Sequence, residues 1–99
     1  MKKNDSIKTE KLSEEVIVRT HSAGVHVGNL VSLDGTTCVL KNARRIWKWS
    51  GAFTLNEIAL KGVDRVNSRI CKHVPIITLT QAIEIIPIVN GINLTTTEL

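Results

Sequence analysis

The residues best suited to binding chemistry lie in one short basic and aromatic segment, residues 44–49. Alternation along an extended strand places Arg45, Trp47 and Trp49 on one face, and a bulge near Asn42 would shift that assignment by one residue. Such a row can stack bases on its indoles, worth roughly 1 to 3 kcal/mol each, while the arginine neutralises phosphate. Two interpretations stay open, because the same tryptophans can be core aromatics in a chain with one Phe and no Tyr.

Further candidates for an anion site come from elsewhere in the chain. Arg44 is a second arginine of the same segment, and Ser68 precedes Arg69. Guanidinium forks and a serine hydroxyl are groups that phosphate recognition uses, although the segment around Ser68 and Arg69 can also be a solvated loop. His26 lies between Gly24 and Gly28, which would let a ligand approach the backbone. It can also be an ordinary strand histidine.

The sequence offers little catalytic apparatus. The histidines share no metal-ligand spacing with cysteines or acids. The five acidic residues that follow the N-terminal segment (Asp34, Glu57, Asp64, Glu84 and Glu98) form no pair that proximity in sequence would bring together, and there is no glycine-rich phosphate loop. Cys71 alone has weak claims as a nucleophile. We therefore expect no enzyme, no metal and no cofactor.

Positive charge is concentrated in the middle of the chain. The net charge is +4, but residues 41–72 contain eight basic residues against Glu57 and Asp64, a net charge of +6. Residues 1–15 carry as many acids as lysines and are neutral. The positive field therefore indicates an anionic partner for the middle segment rather than for the N-terminus.

The elements that must position these residues are mostly strands. Residues 16–20 are strand-like, residues 22–24 form a turn, and apolar residues recur with a period of two from Val25 to Leu33. The pair Asp34-Gly35 indicates a second hairpin turn, because glycine accepts positive φ, with the return strand starting at Thr37. That strand is expected to run on to Trp49.

A short helix and further strands follow. Thr54 and Glu57 form a capping box, and Gly62 is placed to end the helix. Residues 76–79 and 82–87 are β-branched and apolar, which predicts at least one more strand. The fold class is α+β or mainly β, a small antiparallel sheet with one short helix. We expect a flexible arm over residues 1–14, one domain over 15–90 and a tail over 91–99.

The compartment is predicted from two absences in the sequence. No stretch approaches the roughly 18 to 20 apolar residues of a membrane span, and the first residues lack a signal-peptide apolar core. Cys38 and Cys71 lie in apolar surroundings that suit free thiols rather than a disulfide. These features predict a cytoplasmic protein with no membrane partner.

One part of the chain is distinctive: the sequence NARRIW at residues 42–47, followed by Gly51-Ala52 and Thr54-Leu55. With further segments between about residues 16 and 87, it resembles a family of small, mostly uncharacterised phage-encoded proteins. The resemblance implies a phage origin and the cytoplasm of an infected bacterium. By analogy, small non-enzymatic phage proteins of this size and charge are similar to sponges that sequester cyclic nucleotide signals of antiphage systems such as CBASS.

Three functions are consistent with these features. The first is an anti-defence sponge that binds a cyclic oligonucleotide without cleaving it, with a homo-oligomer supplying enough contacts. The second is a DNA- or RNA-binding accessory protein that uses the same basic segment. The third is an inhibitor that binds a host protein, with Trp47 and Trp49 as interface anchors or core.

Overall fold

The protein is a small antiparallel sheet with one short helix, as the sequence predicts. The computed structural model describes residues 12–97. Its strands are β1 (Leu12–Thr20), β2 (Val25–Asp34), β3 (Thr37–Lys48), β4 (Arg69–Ile70), β5 (Val74–Leu79) and β6 (Ala82–Val89). The helix α1 spans Leu55–Lys61, and a 3₁₀ helix spans Arg65–Asn67.

The strands form one curled sheet with the order β4-β3-β2-β1-β6, and β5 pairs with the same edge of β3 as β4 does. The first two hairpins are those that the sequence predicts. β1 pairs with β2, and β2 pairs with β3. The turn that connects β2 to β3 begins at Gly35, whose φ is +62°. β5 and β6 follow each other in the chain but pair with β3 and β1 respectively. The sheet is therefore curled into a half-barrel.

A bulge in β3 lies at Asn42, so the irregularity that the sequence left open at this position is present. Val27 pairs with Arg44 and Asn29 with Lys41, so β3 has one residue more than β2 in this interval. Asn42 has φ of +52°, a conformation that asparagine tolerates better than most residues. Gly28 faces the bulge, and a Cβ there would lie 2.8 Å from the Lys41 carbonyl oxygen. A glycine at position 28 is therefore required by the close approach of the bulged strand.

The two faces of the sheet carry separate hydrophobic clusters. The first cluster contains residues from the strands, from α1 and from the C-terminal segment: Ile17, Val27, Ile46, Ile58, Ala59, Ile70, Ile88 and Leu94. The second contains strand residues alone: Val16, Val18, Cys38, Leu40, Ala43, Leu79 and Ala82. Because neighbouring residues of β1 enter different clusters, this strand is apolar on both faces.

The helix begins and ends where the sequence predicts. The Thr54 hydroxyl accepts a hydrogen bond from the Glu57 amide at 3.1 Å. The Glu57 carboxylate in turn accepts from the Phe53 amide at 2.5 Å. At the other end the Gly62 amide donates to the Ile58 carbonyl at 2.8 Å. Ile58 is buried in the first cluster, so α1 covers that face of the sheet.

Residues of the predicted arm and of the predicted tail contact the sheet. Most of the predicted arm lies outside the described residues, but β1 begins at Leu12, so residues 12–14 belong to a strand. In the described part of the predicted tail, Leu94 is 1% exposed and the Thr97 amide donates to the Ile70 carbonyl at 2.9 Å. Burial of Leu94 in the first cluster attaches this segment to the sheet.

Candidate anion-binding site

A cavity of about 220 Å³ lies at the junction of β2, β3 and the segment between β4 and β5. It is lined by His26, Ala43, Arg44, Arg45, Cys71, Lys72, Val74 and Ile77. Most of its wall is apolar. Its exposed cations are Arg45 and Lys72, and no acidic residue is among those that line it.

Strand register brings the polar side chains of the cavity together. His26 of β2 lies directly opposite Arg45 of β3 and, on its other side, opposite Val18 of β1. Val18 belongs to the second cluster, so His26 and Arg45 lie on that face of the sheet. The Cys71 amide donates to the Arg45 carbonyl at 2.9 Å, which holds the following residue, Lys72, beside β3.

His26 is the most unusual polar side chain of the site. It is 2% exposed, and its Nε2 lies 3.5 Å from the Arg45 Nη2. Its Nδ1 is buried and has no hydrogen-bond partner within the part of the chain that the structure describes. Burial lowers the pKa of His26, and the positive charge of Arg45 lowers it further. The imidazole is therefore neutral at pH 7.

Arg44 has a different environment from its neighbour and is corrected from a candidate phosphate ligand to a structural residue. It is 2% exposed, and its guanidinium lies against the Glu15 carboxylate at 2.7 Å. Its Nε donates to the Leu94 carbonyl at 2.7 Å and its Nη1 to the Asn42 carbonyl at 2.9 Å. Because these contacts occupy the guanidinium, we remove Arg44 from the candidate binding residues.

Ser68 is not available to a ligand, because it is buried and hydrogen-bonded within the fold. It is fully buried, and its hydroxyl accepts a hydrogen bond from the Ser50 amide at 2.9 Å. The adjacent Arg69 is exposed, pairs across the strands with Lys48, and donates to the Ser68 carbonyl at 3.3 Å. Neither residue lines the cavity.

The two tryptophans do not form one row. Trp47 is 55% exposed, whereas Trp49 follows the end of β3 and packs against the first cluster. Arg45 lies on the face of the second cluster, so the expectation that it shares a face with both tryptophans is wrong for Trp49. The pairing of β3 with β4 changes register between Ile46 and Lys48, which interrupts simple alternation there. Trp49 is therefore a partly buried aromatic that packs against the core, and Trp47 remains a candidate platform.

Several residues of the cavity were not singled out from the sequence. Lys72 lies at the end of the basic segment, which was its only signal. Cys71, Val74 and Ile77 enter the site because β4 and β5 both pair with β3, and local sequence does not reveal that pairing. Cys71 is partly buried and Cys38 is buried, and both are free thiols, as predicted. Burial raises the pKa of the Cys38 thiol.

Among residues 12–97, no group of three or more His, Cys, Asp or Glu side chains is arranged to hold a metal ion. None of the helices described there has the length and apolar character needed to cross a membrane.

The fold and the cavity together define a small β-rich protein with a basic pocket on one face of a curled sheet. Residues 13–93 match the family model described as "Domain of unknown function (DUF6948)", and the chain belongs to this family. The match includes every residue that lines the cavity. No curated protein and no solved structure matches this chain.

Proposed function

We propose that this protein binds a phosphorylated nucleotide without changing it chemically, and that the ligand is a cyclic oligonucleotide immune signal sequestered by a phage protein. The observation that carries the proposal is the cavity with Arg45 and Lys72 at its wall and no acidic lining residue. Both cations can meet phosphate oxygens, and the apolar wall strengthens such contacts by lowering the local dielectric constant.

The size of the cavity limits which part of the ligand it holds. About 220 Å³ is below the range of roughly 300 to 1,000 Å³ typical of sites for drug-sized ligands. The cavity therefore takes one phosphate with part of its sugar, and the rest of the ring lies outside. Trp47, two residues along β3 from Arg45 and 55% exposed, offers a surface on which a base stacks.

The affinity of a sponge calls for more contacts than one chain offers. Competing with a nanomolar receptor takes about 12 kcal/mol. One stacked base provides roughly 1 to 3 kcal/mol, and each charge-assisted hydrogen bond about 1.5 to 3 kcal/mol. Trp47, Arg45 and Lys72 of one chain fall short of the total. A homo-oligomer that brings two cavities to one ligand is therefore part of the proposal.

Calorimetry with a panel of cyclic dinucleotides and trinucleotides tests the proposal. Arg45→Ala and Lys72→Ala are each expected to weaken binding about 10-fold or more. Lys48→Ala is the matched control, because Lys48 is exposed on the same strand but does not line the cavity. The ligand recovered after heat release is expected to be intact by chromatography. The proposal fails if no member of the panel binds at micromolar concentration, and a cleaved ligand would reveal an enzyme instead.

One observation favours the second function, binding of linear nucleic acid. Lys48 and Arg69 are exposed and lie opposite each other on β3 and β4, which adds a cationic pair outside the cavity. A linear oligonucleotide in the same calorimetry distinguishes the two. If this function is correct, affinity falls steeply with salt, and Lys48→Ala weakens binding as much as Arg45→Ala does.

A further inference from the structure

His26, which lines the cavity, has a polar atom without a hydrogen-bond partner. The residue is 2% exposed, and its Nδ1 has no partner among residues 12–97. Buried polar atoms are nearly always paired with protein or ligand groups, because an unpaired one costs about 1 to 3 kcal/mol. The residue His26 lines the cavity, although its Nδ1 atom has less than 1 Å² of exposed surface. A group bound in the cavity therefore supplies the missing partner when the imidazole turns toward it.

The neighbour of His26 determines which ring nitrogen carries the proton. A guanidinium only donates hydrogen bonds, so the Nε2 that faces the Arg45 Nη2 at 3.5 Å must act as the acceptor. In the neutral ring the proton is then on Nδ1. The unpaired atom is thus a donor, and it needs an acceptor such as an oxyanion oxygen.

We propose that the cavity is an oxyanion site in which Arg45 and Lys72 supply the charge, and that His26 is a third ligand group whose Nε2 gains a proton from solvent when the bound oxyanion draws the Arg45 guanidinium away from that nitrogen. This inference rests on the proposed function and specifies the group that is recognised. A phosphodiester of a cyclic oligonucleotide and a terminal phosphate share this chemistry.

The charges around His26 account for the proton uptake. Its neighbours on β3 and in the segment after β4 are cationic: Arg45 opposes its protonation directly, and Lys72 adds a second positive charge to the wall. Arg44 is neutralised by its ion pair, and the Cys71 thiol also lines the cavity. An oxyanion bound to the two cations removes their repulsion and attracts the imidazolium, so it raises the pKa of His26.

Thermodynamic linkage then gives the sign of the pH dependence. If anion binding raises the pKa of His26, the bound state holds more protons than the free state near and below that pKa. Anion affinity therefore increases as pH falls from about 7.5 to about 5.5, through the range where imidazoles titrate. Phosphate titrates in the same range, with a second pKa near 6. Sulfate stays a dianion there and is the cleaner probe.

The experiment follows the His26 ring resonances by NMR from about pH 5 to about pH 8, without and with saturating sodium sulfate, with sodium chloride at matched ionic strength as the control. We expect sulfate to raise the pKa of His26 by at least about half a unit and to bind about threefold more tightly at the acidic end. This titration uses the wild-type protein, so its result does not depend on whether any variant folds. An unchanged pKa of His26, or no sulfate binding, overturns the inference.

Variants separate His26 from the other histidines. His26→Asn keeps a donor near the position of Nδ1 but does not titrate, so its sulfate affinity is expected to be independent of pH. His73→Asn is the matched control, since His73 is exposed and does not line the cavity; it keeps the pH dependence. If cyclic nucleotides bind while sulfate leaves His26 unchanged, the proposed function stands and this inference fails. If sulfate raises the pKa of His26 and no nucleotide binds, the inference stands and the proposed function fails.

Discussion

Arg44 and Arg45 are adjacent in the chain and lie in opposite environments. Arg44 is buried on the face of the first cluster, with its guanidinium bonded to Glu15 and to two backbone carbonyls. Arg45 is exposed at the edge of a cavity, with His26 as its neighbour. Two residues of the same type thus have different roles, because a strand directs successive side chains to opposite faces.

The bulge at Asn42 decides which arginine has which role. Cys38 and Leu40 enter the second cluster, and unbroken alternation from them would direct the side chain of residue 44 to that same face. The extra residue places Ala43 there instead, so Arg44 lies on the other face. One residue of local irregularity therefore decides which arginine is buried and which lies exposed at the cavity.

The largest effect on stability is expected from Arg44→Met. The change removes the cation from a buried ion pair and leaves two carbonyls and the Glu15 carboxylate without their donor. Breaking a buried pair costs about 3 to 5 kcal/mol, and the lower end applies because the Glu15 side chain is 27% exposed. Urea denaturation followed by circular dichroism measures the loss in free energy of unfolding.

Arg45→Met is the matched control for this comparison. The same substitution one residue later removes an exposed guanidinium, so the free energy of unfolding is expected to change by about 0.5 kcal/mol or less. Equal losses of unfolding free energy in the two variants would contradict the assignment of different roles. An Arg44→Met variant that is as stable as the wild type but no longer binds ligand would contradict it too.

A smaller loss is expected when the bulge is disturbed by Gly28→Ala. The new Cβ would lie 2.8 Å from the Lys41 carbonyl oxygen and 3.1 Å from the Leu40 Cβ, and both neighbours are held in the sheet. Overpacking of this kind costs about 1 to 3 kcal/mol. Gly35→Ala is a useful comparison, because position 35 has open space around its Cβ and only its φ of +62° opposes the change. If the Gly28 variant is as stable as the wild type, the bulge is not held by this close approach.

The smallest effect is a pH dependence that originates at His26. The pKa of His26 is lowered by burial and by Arg45, whereas the unfolded chain has the ordinary value of about 6.5. Below about pH 6.5 the unfolded state binds a proton that the folded state does not. The stabilising contribution of neutral His26 is therefore complete above about pH 6.5 and is lost as pH falls toward the lower pKa of the folded state. Denaturation midpoints measured between about pH 7.5 and about pH 5 report this slope.

His26→Asn is expected to reduce the dependence of stability on pH, and His73→Asn to keep it.

The carboxylates of Glu57 and Asp64 affect stability only at lower pH. The Phe53 amide lowers the pKa of Glu57, and the Asn67 side chain lowers that of Asp64. Their stabilising effect is lost only below their ordinary values near pH 4. If both histidine variants show the wild-type slope, another group is responsible for the pH dependence.

Much of the fold could be predicted from local sequence because its signals are short-range. The Asp34-Gly35 turn, the capping box of Thr54 and Glu57 and the end of α1 at Gly62 depend on hydrogen bonds and φ angles within a few residues. The period of two in β2 likewise indicates a strand. The pairing of β5 with β3 and of β6 with β1 depends on contacts between distant segments, so it was not predicted.

The site could be predicted only in part, for the same reason. Composition and order in the chain determined that this protein is basic in its middle, rich in strands and has two free cysteines, and they directed attention to His26 and Arg45. The tertiary structure alone decided that Arg44 is buried in an ion pair, that Trp49 packs against the first cluster and that Lys72 lines the cavity. The reason is physical: the direction of a side chain depends on a one-residue bulge and on which strands meet, and neither is encoded by the identity of the residue itself.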